Sequence, residues 1–135
     1  MEFIHQTIVR MYDTDTAQIL FFGNQYRFMN DALEDLLASE GLTMDKLFRE
    51  LPFGFVVVHS EANYLAPLHV GDPLKVSVTV SNIGHTSFEF SYSIYKKNKL
   101  VGNGKTNHVV INRSTQKKEP IPESLHSLLK KYISD

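Results

Sequence analysis

The sequence predicts an α+β protein in which one long helix lies against an antiparallel sheet. In the first third of the 135 residues, apolar side chains recur every three or four positions along one stretch, which is the spacing of an amphipathic helix. Most of the remaining chain consists of segments rich in Val, Ile, Phe, Tyr and Thr, separated by short links that contain Gly, Pro or Asn. Short links favour antiparallel neighbours and an apolar helix stripe packs on a sheet face, so the two patterns together predict this fold class.

The elements follow one another in a simple order. Alternating side chains at residues 2–12 predict a first strand, and the polar run 13–18 predicts a loop. The long helix begins near Phe22 and ends at Gly41, and residues 43–51 add a short second helix. Strands are predicted at residues 55–64, 74–83, 87–96 and 99–112, followed by a terminal helix at 122–133. The length of 135 residues predicts a single domain, residues 1–135. Because one helix covers only part of a five-stranded sheet, we also expect a homo-oligomer.

Composition excludes several kinds of chemistry. With 14 Lys and Arg against 15 Asp and Glu, the net charge of −1 provides no basic surface for nucleic acid. The absence of Cys excludes disulfides, thiolate metal sites and thiolate nucleophiles, and the six His show no metal-ligand spacing, so we expect neither metal nor cofactor. No stretch approaches the roughly 20 apolar residues of a membrane span, and no signal-peptide pattern occurs. We therefore expect a cytoplasmic protein without membrane insertion.

Residues 102–106, Gly-Asn-Gly-Lys-Thr, resemble the end of a phosphate-binding loop. Lys99 stands where that motif has its first glycine, and the segment lies inside a predicted strand rather than between a strand and a helix. The glycines therefore predict a softened strand or a bulge, and not a nucleotide site.

The informative polar cluster is Asp13-Thr14-Asp15, directly before the long helix. A carboxylate at this position can cap the helix by accepting backbone N–H bonds at the positive end of the helix dipole. The same geometry also suits catalysis, because N–H groups at a helix N-terminus can hold an oxyanion while a nearby carboxylate attacks a carbonyl or activates water. Spacing alone leaves both alternatives open.

Residues 12–22, Tyr-Asp-Thr-Asp-Thr-Ala-Gln-Ile-Leu-Phe-Phe, are similar to a known signature. It is that of the hotdog-fold acyl-CoA thioesterases of the 4-hydroxybenzoyl-CoA thioesterase family. The resemblance spans almost the whole chain, since the predicted elements occur in the family's order and residues 66–72 resemble its characteristic turn. Within the family, short matches at residues 58–60, 66–72, 106–109 and 117–118 most resemble the 1,4-dihydroxy-2-naphthoyl-CoA hydrolases of quinone biosynthesis.

The resemblance implies a hotdog fold, an antiparallel five-stranded sheet wrapped around one central helix, and hydrolysis of an aromatic acyl-CoA thioester without a cofactor. In the family, the second Asp of the signature is the catalytic carboxylate, which corresponds to Asp15 as nucleophile or general base. A backbone N–H near Phe22 would hold the thioester oxygen in a site between two subunits of a homodimer or homotetramer. Candidate substrate-binding residues are Gln18, Phe21, Tyr26, Phe53, His59 and Tyr64, and candidates for the CoA phosphates are Arg113, Lys117 and Lys118.

Three positions depart from the family pattern. Many relatives have Gly in place of Gln18, some have His in place of Phe22, and some have Tyr in place of Met11. Without that His, Asp15 and the backbone donors form the shared catalytic core, and Gln18 either orients a water or caps the loop. His59 either faces the acyl pocket or is satisfied by neighbouring backbone. Two other functions stay open: an aliphatic short- or medium-chain acyl-CoA thioesterase, and a non-catalytic protein that binds acyl-CoA or acyl carrier protein.

Overall fold

The structure is a computed structural model and describes residues 1–134. It contains the strands β1 (Phe3–Ile8), β2 (Phe53–Tyr64), β3 (Pro73–Ile83), β4 (Ser87–Lys96) and β5 (Lys99–Asn112), and the helices α1 (Gln25–Ser39), α2 (Met44–Arg49) and α3 (Glu123–Lys131). A 3₁₀ turn at Phe22–Asn24 leads directly into α1. The predicted α+β architecture is confirmed. Over the described range, every helix is too short or too polar to cross a bilayer.

All five strands belong to one antiparallel sheet with the order β1-β3-β4-β5-β2. The strands β3, β4 and β5 follow one another as hairpins in the centre, and β1 and β2 form the two edges. Strand β2 pairs with β5 from Phe53, opposite Asn112, to Tyr64, opposite Gly102. Its other side has no partner within residues 1–134, so a twelve-residue edge remains unpaired.

The prediction of a first strand that reaches residue 12 is wrong. Strand β1 ends at Ile8, and residues Met11–Asp13 form a 3₁₀ turn. The Arg10 N–H donates to the Asp13 carboxylate at 2.8 Å, and the Asp13 N–H donates to the Arg10 carbonyl at 3.0 Å. These two bonds bend the chain, because a local side-chain acceptor competes with the sheet for backbone donors.

The core lies between α1 and the inner face of the sheet. Helix α1 buries one side against it, and each fully buried large apolar side chain contributes roughly 1.5–3 kcal/mol. The buried helix residues are Phe28, Met29, Ala32, Leu33, Leu36 and Leu37, and their partners on the sheet include Val76, Val78, Val80, Phe88, Phe90 and Ile94. The apolar spacing that predicted the helix includes four of these residues, Met29, Leu33, Leu36 and Leu37, but not Phe28 and Ala32, and it includes Phe22, which is exposed.

Two glycines in β5 let α1 approach the sheet closely. A Cβ at Gly102 would lie 2.7 Å from the Gln25 Oε1, and a Cβ at Gly104 would lie 2.6 Å from the Glu61 carbonyl oxygen and 2.7 Å from the Met29 Cε. These distances are far below van der Waals contact. The glycine-containing segment therefore lies inside a strand, as predicted, and the missing side chains of its two glycines leave room for α1.

We expect Gly104→Ala to lower the free energy of unfolding by about 1–3 kcal/mol, the usual cost of overpacking a tight core. Gly54→Ala on β2 is the matched control, since its Cβ would have no atom within 4 Å. Urea denaturation of both variants measures the effect. Equal stability of the two variants would show that the close approach of α1 is not required.

Candidate active site

The loop between β1 and α1 forms a small hairpin that ends at the start of the helix. Thr14 bridges to Leu20, and the Asp15 N–H donates to the Ile19 carbonyl at 3.1 Å. At the base of the hairpin, the Phe21 N–H donates to the Asp13 carbonyl at 2.9 Å. Asp15 pairs with Ile19, so along this hairpin it lies two positions, roughly 7 Å of extended chain, from Asp13, which pairs with Phe21.

Asp13 holds the base of this hairpin in place. Its carboxylate is 1% exposed and accepts two hydrogen bonds of 2.7 Å from the Arg27 guanidinium, in addition to the one from the Arg10 backbone. Burial by itself would raise the pKa of Asp13, but the Arg27 and Arg10 hydrogen bonds and the positive charge of Arg27 hold this pKa below its ordinary value. Asp13 is therefore an ionised structural residue with all its acceptor capacity directed to the protein.

Asp15 has the opposite environment. Its side chain is exposed, and its one hydrogen-bond partner among residues 1–134 is the Ala17 N–H, at 2.9 Å from Oδ1. The structure contradicts the capping alternative for both carboxylates. The residue at the N-cap of the Phe22–Asn24 turn is Phe21, and no side chain caps this turn or α1.

The start of the helix is consequently open to a ligand. Among the hydrogen bonds within residues 1–134, none uses the Phe22 N–H as donor. Unpaired N–H groups at a helix N-terminus, at the positive end of the dipole, bind anions and developing oxyanions. The carboxylate of Asp15 and this donor therefore provide an attacking group and an oxyanion donor on one loop.

Exposed aromatic rings surround this loop. The Phe21 and Phe22 ring centroids lie 4.6 Å apart, and the Phe22 and Tyr64 centroids lie 6.4 Å apart. Phe22 is 63% exposed, and a groove of about 450 Å³ runs between the helix start, Tyr64 and Leu68. Burial and the nearby Tyr26 raise the pKa of Tyr64. Two of the predicted site residues, Phe22 and Tyr64, thus line this groove, and Phe21 and Tyr26 lie beside them.

Other predicted site residues lie elsewhere in this chain. Phe53 is buried at the opposite end of β2 from Tyr64, against α2 and α3. His59 is exposed on β2, where its Nε2 lies 3.6 Å from a Glu61 carboxylate oxygen. Arg113, Lys117 and Lys118 follow β5 at the Phe53 end of the sheet, and the Arg113 guanidinium donates to the Leu51 carbonyl at 3.1 Å. Within one chain, these residues and Asp15 do not converge.

Sequence reasoning did not identify Gln25. This side chain is 1% exposed in the first turn of α1, and its amide nitrogen donates to the Asn63 carbonyl at 3.2 Å and the Asn103 carbonyl at 3.0 Å. It fixes the helix start onto β2 and β5. The close approach that Gly102 permits is the matching signal in the sequence, but the pairing of the two residues exists only in the folded chain.

The backbone conformation of Gln18 is one that favours glycine, the residue that the family resemblance leads us to expect at this position. Its φ of 67° lies in the left-handed region, where a Cβ is unfavourable. We expect Gln18→Gly to raise the free energy of unfolding by about 0.5 kcal/mol, because relief of strain exceeds the added flexibility of the unfolded chain.

Gln18→Ala is the matched control, since it removes the side chain and keeps the Cβ. Thermal denaturation and initial rates on both variants separate backbone strain from a side-chain role. A rate loss shared by both variants would assign the Gln18 side chain to the reaction, whereas a gain in stability shared by both would contradict the backbone explanation.

Within residues 1–134, no group of three or more His, Cys, Asp or Glu side chains is placed to hold a metal ion.

Comparisons with known proteins identify the family of this chain. The family model of the thioesterase-like superfamily matches residues 9–129. A 1,4-dihydroxy-2-naphthoyl-CoA hydrolase of a Synechococcus species is 32% identical over 129 residues, which cover 93% of this chain and 98% of the relative. A hydrolase of the same name from Rippkaea orientalis is 30% identical over 125 residues, covering 90% and 91%. The chain belongs to the thioesterase-like superfamily.

Solved structures extend the likeness to three dimensions. A 1,4-dihydroxy-2-naphthoyl-CoA thioesterase from Synechocystis superposes with a TM-score of 0.89 at 27% identity and covers 96% of both chains. A gentisyl-coenzyme A thioesterase superposes with a TM-score of 0.84 at 25% identity, covering 93% of this chain and 98% of the other. The fold is the hotdog fold, and the predicted family is confirmed.

Proposed function

We propose that this protein hydrolyses an aromatic acyl-CoA thioester, of the 1,4-dihydroxy-2-naphthoyl-CoA or 4-hydroxybenzoyl-CoA type, to the free acid and CoA. The observation that carries the proposal is the exposed Asp15 carboxylate on the loop that leads into a helix start, which no side chain among residues 1–134 caps. Exposed Phe21, Phe22 and Tyr64 offer flat apolar surfaces to an aromatic acyl group. The names of the relatives at up to 32% identity point to the same substrate class.

In the proposed reaction, the thioester oxygen accepts a hydrogen bond from the Phe22 N–H. Asp15 attacks the carbonyl carbon or removes a proton from the water that attacks it, and the oxyanion of the tetrahedral intermediate forms at the helix N-terminus. The C–S bond then breaks and CoA leaves as a thiolate, which takes up a proton from solvent. If Asp15 is the nucleophile, water hydrolyses the resulting anhydride to regenerate the carboxylate.

We propose that the working unit is a dimer formed along β2. This edge strand exposes Val56, Val57 and Val58, an apolar unpaired edge of the kind that other strands pair with. Two copies of β2 paired antiparallel about a two-fold axis near Ser60 would bring Tyr64 of one protomer opposite Val56 of the partner subunit. The Phe53 end of one chain would then adjoin the Asp15 loop of the other.

The same arrangement supports the proposed roles of the distant residues. Arg113, Lys117 and Lys118 lie at the Phe53 end of the sheet, so in this dimer they would face the partner's catalytic loop. Their positive charges suit the phosphates of a CoA that extends out of that site. The nucleotide would thus bind one subunit while its thioester reacts at the other.

We expect Val58→Lys to convert the dimer to a monomer and to abolish hydrolysis, because a charge on an edge strand opposes pairing. Val58 is 59% exposed, and Val70, 53% exposed outside the strands, is the matched position for a control Val70→Lys variant. Sedimentation equilibrium and thiol release measure the two effects. A monomeric wild-type protein, or a Val58→Lys dimer with full activity, would contradict the proposed interface.

The substrate proposal is tested by thiol release from a panel of aromatic and aliphatic acyl-CoAs. We expect the highest kcat/KM for hydroxylated aromatic acyl groups. A higher kcat/KM for aliphatic acyl-CoAs would contradict the aromatic substrate and favour an aliphatic acyl-CoA thioesterase. Saturable binding by calorimetry with no thiol release would show a binding protein and not an enzyme.

A further inference from the structure

A buried chain of three hydrogen-bonding side chains ends in an atom without a partner. The Tyr92 hydroxyl lies 2.8 Å from the Thr106 Oγ1, which lies 2.8 Å from the His108 Nε2. His108 is 3% exposed, and its Nδ1 is buried without a hydrogen-bond partner among residues 1–134. Native proteins pair nearly all such atoms, so an unpaired one requires an explanation.

The chain determines which nitrogen of His108 carries the proton. If Tyr92 donates to Thr106 and Thr106 donates to Nε2, both hydroxyl hydrogens have an acceptor, His108 is protonated at Nδ1, and this N–H is the one unpaired group of the three side chains. The opposite direction leaves two groups unpaired, the Tyr92 hydroxyl hydrogen and the lone pair of Nδ1. Burial lowers the pKa of His108 to about 4, so the ring is neutral near pH 7. The unpaired group is therefore an uncharged N–H donor.

His108 borders a groove of about 360 Å³ between α1, α2 and β2. The walls are mainly apolar side chains, including Leu33, Leu47 and Phe55, and Asn30 and Glu34 from α1 also line it. The Phe55 ring, half-buried at the wall of this groove, has its centroid 5.5 Å from that of His108, so it is the side chain that would have to move for a ligand in the groove to reach the imidazole. An apolar groove with one uncharged donor suits an aromatic ring that carries a hydroxyl group, whose hydrogen can pair with an α1 side chain.

The groove lies too far from Asp15 of its own chain to hold the acyl group attached there. Val57, which lines the groove, is seven residues from Tyr64 along β2, roughly 23 Å in an extended strand. Pairing of two β2 strands about Ser60 removes this separation, because it brings the groove of one protomer to the partner's Tyr64.

We propose that His108 is a specificity-determining residue, which donates from Nδ1 to a ring hydroxyl of the acyl group bound at the partner subunit's Asp15. This inference rests on the proposed thioesterase function and on the β2 dimer. Thr106 and Tyr92 are positioning residues that orient the donor without touching the substrate.

The kinetic test compares 4-hydroxybenzoyl-CoA with benzoyl-CoA. We expect His108→Phe to lower the ratio of their kcat/KM values by about tenfold, the usual effect of one lost neutral hydrogen bond. His85→Phe, at an exposed turn, is the matched control and leaves the ratio unchanged. An equal loss for both substrates would overturn the proposal, since it would show that His108 only stabilises the core.

A second readout does not depend on turnover. We expect ¹⁵N NMR to show a proton at Nδ1 of His108, with a shift of that signal on titration with 2-naphthol but not with naphthalene. Thr106→Val should abolish the single tautomer and Thr106→Ser should retain it. Protonation at Nε2, or no response to 2-naphthol, would overturn the proposal even where hydrolysis is found, whereas the expected NMR result without hydrolysis would refute only the proposed reaction.

Discussion

Asp15→Asn is expected to lower kcat by at least about 100-fold, because the amide neither attacks a thioester carbonyl nor takes a proton from water. The fold should be unaffected. The Asn Oδ1 can still accept the Ala17 N–H bond, and the carboxylate makes no other hydrogen bond within the described residues. Substitutions at exposed positions usually change stability by less than about 0.5 kcal/mol.

Steady-state thiol release and thermal denaturation measure these two effects on the same samples. Asp45→Asn is the matched control, since Asp45 is exposed on α2 and pairs only with Arg49 at the surface. Its rate and melting temperature should stay near those of the wild type. Full activity of Asp15→Asn would remove this residue from the mechanism.

Arg27→Met is expected to lower the free energy of unfolding by about 3 kcal/mol. The substitution keeps the apolar stem but leaves the Asp13 carboxylate, 1% exposed, without its two guanidinium bonds. Loss of one partner from a buried ion pair costs roughly 3–5 kcal/mol, and the partial exposure of Arg27 favours the lower end. Activity should fall as well, because Asp13 holds the hairpin that carries Asp15.

The loss should depend on pH. Since Arg27 keeps the pKa of Asp13 in the folded protein below its ordinary value of 3.8, this pair stabilises the fold fully above that value and less as the pH falls through the folded pKa. The wild type and Arg27→Met should therefore differ most near pH 7 and converge in acid. Urea denaturation at a series of pH values measures this difference.

Arg49→Met is the matched control. Arg27 pairs not only with Asp13 but also with Asp31, four residues further along α1, and Arg49 pairs with Asp45 in the same spacing on α2, where both groups are exposed. Exposed pairs contribute roughly 0–1 kcal/mol, so this variant should remain close to the wild type at every pH. Comparable losses in the two variants would contradict a special role for the buried pair.

Much of the fold followed from local patterns. The three- and four-residue spacing of α1 and the β-rich segments after it correspond to the observed helix and strands, and the glycines of residues 102–104 lie inside β5. Such patterns are readable because burial of one face imposes a fixed period on helices and strands. The end of β1 was missed, since the bond between Arg10 and the Asp13 carboxylate competes with strand pairing there.

The candidate site was predictable only in part. Asp15 and the open helix start lie close in sequence, so a single loop motif indicates both. Gln25 and His108 act through partners far along the chain, Asn103 for the first and Tyr92 for the second, and nothing local distinguishes them from other buried polar residues.

The sequence by itself determined the order of the elements, much of the buried face of the long helix and the loop on which the two candidate carboxylates stand. It did not distinguish the two aspartates of that loop, which have the same chemistry and stand two residues apart. Only the tertiary structure distinguished them. Asp13 is buried and both of its carboxylate oxygens accept hydrogen bonds from the Arg27 guanidinium, whereas the Asp15 side chain is exposed to solvent. Hydrogen-bond partners and burial are properties of the packed chain, and they decide which of two identical side chains is available to react.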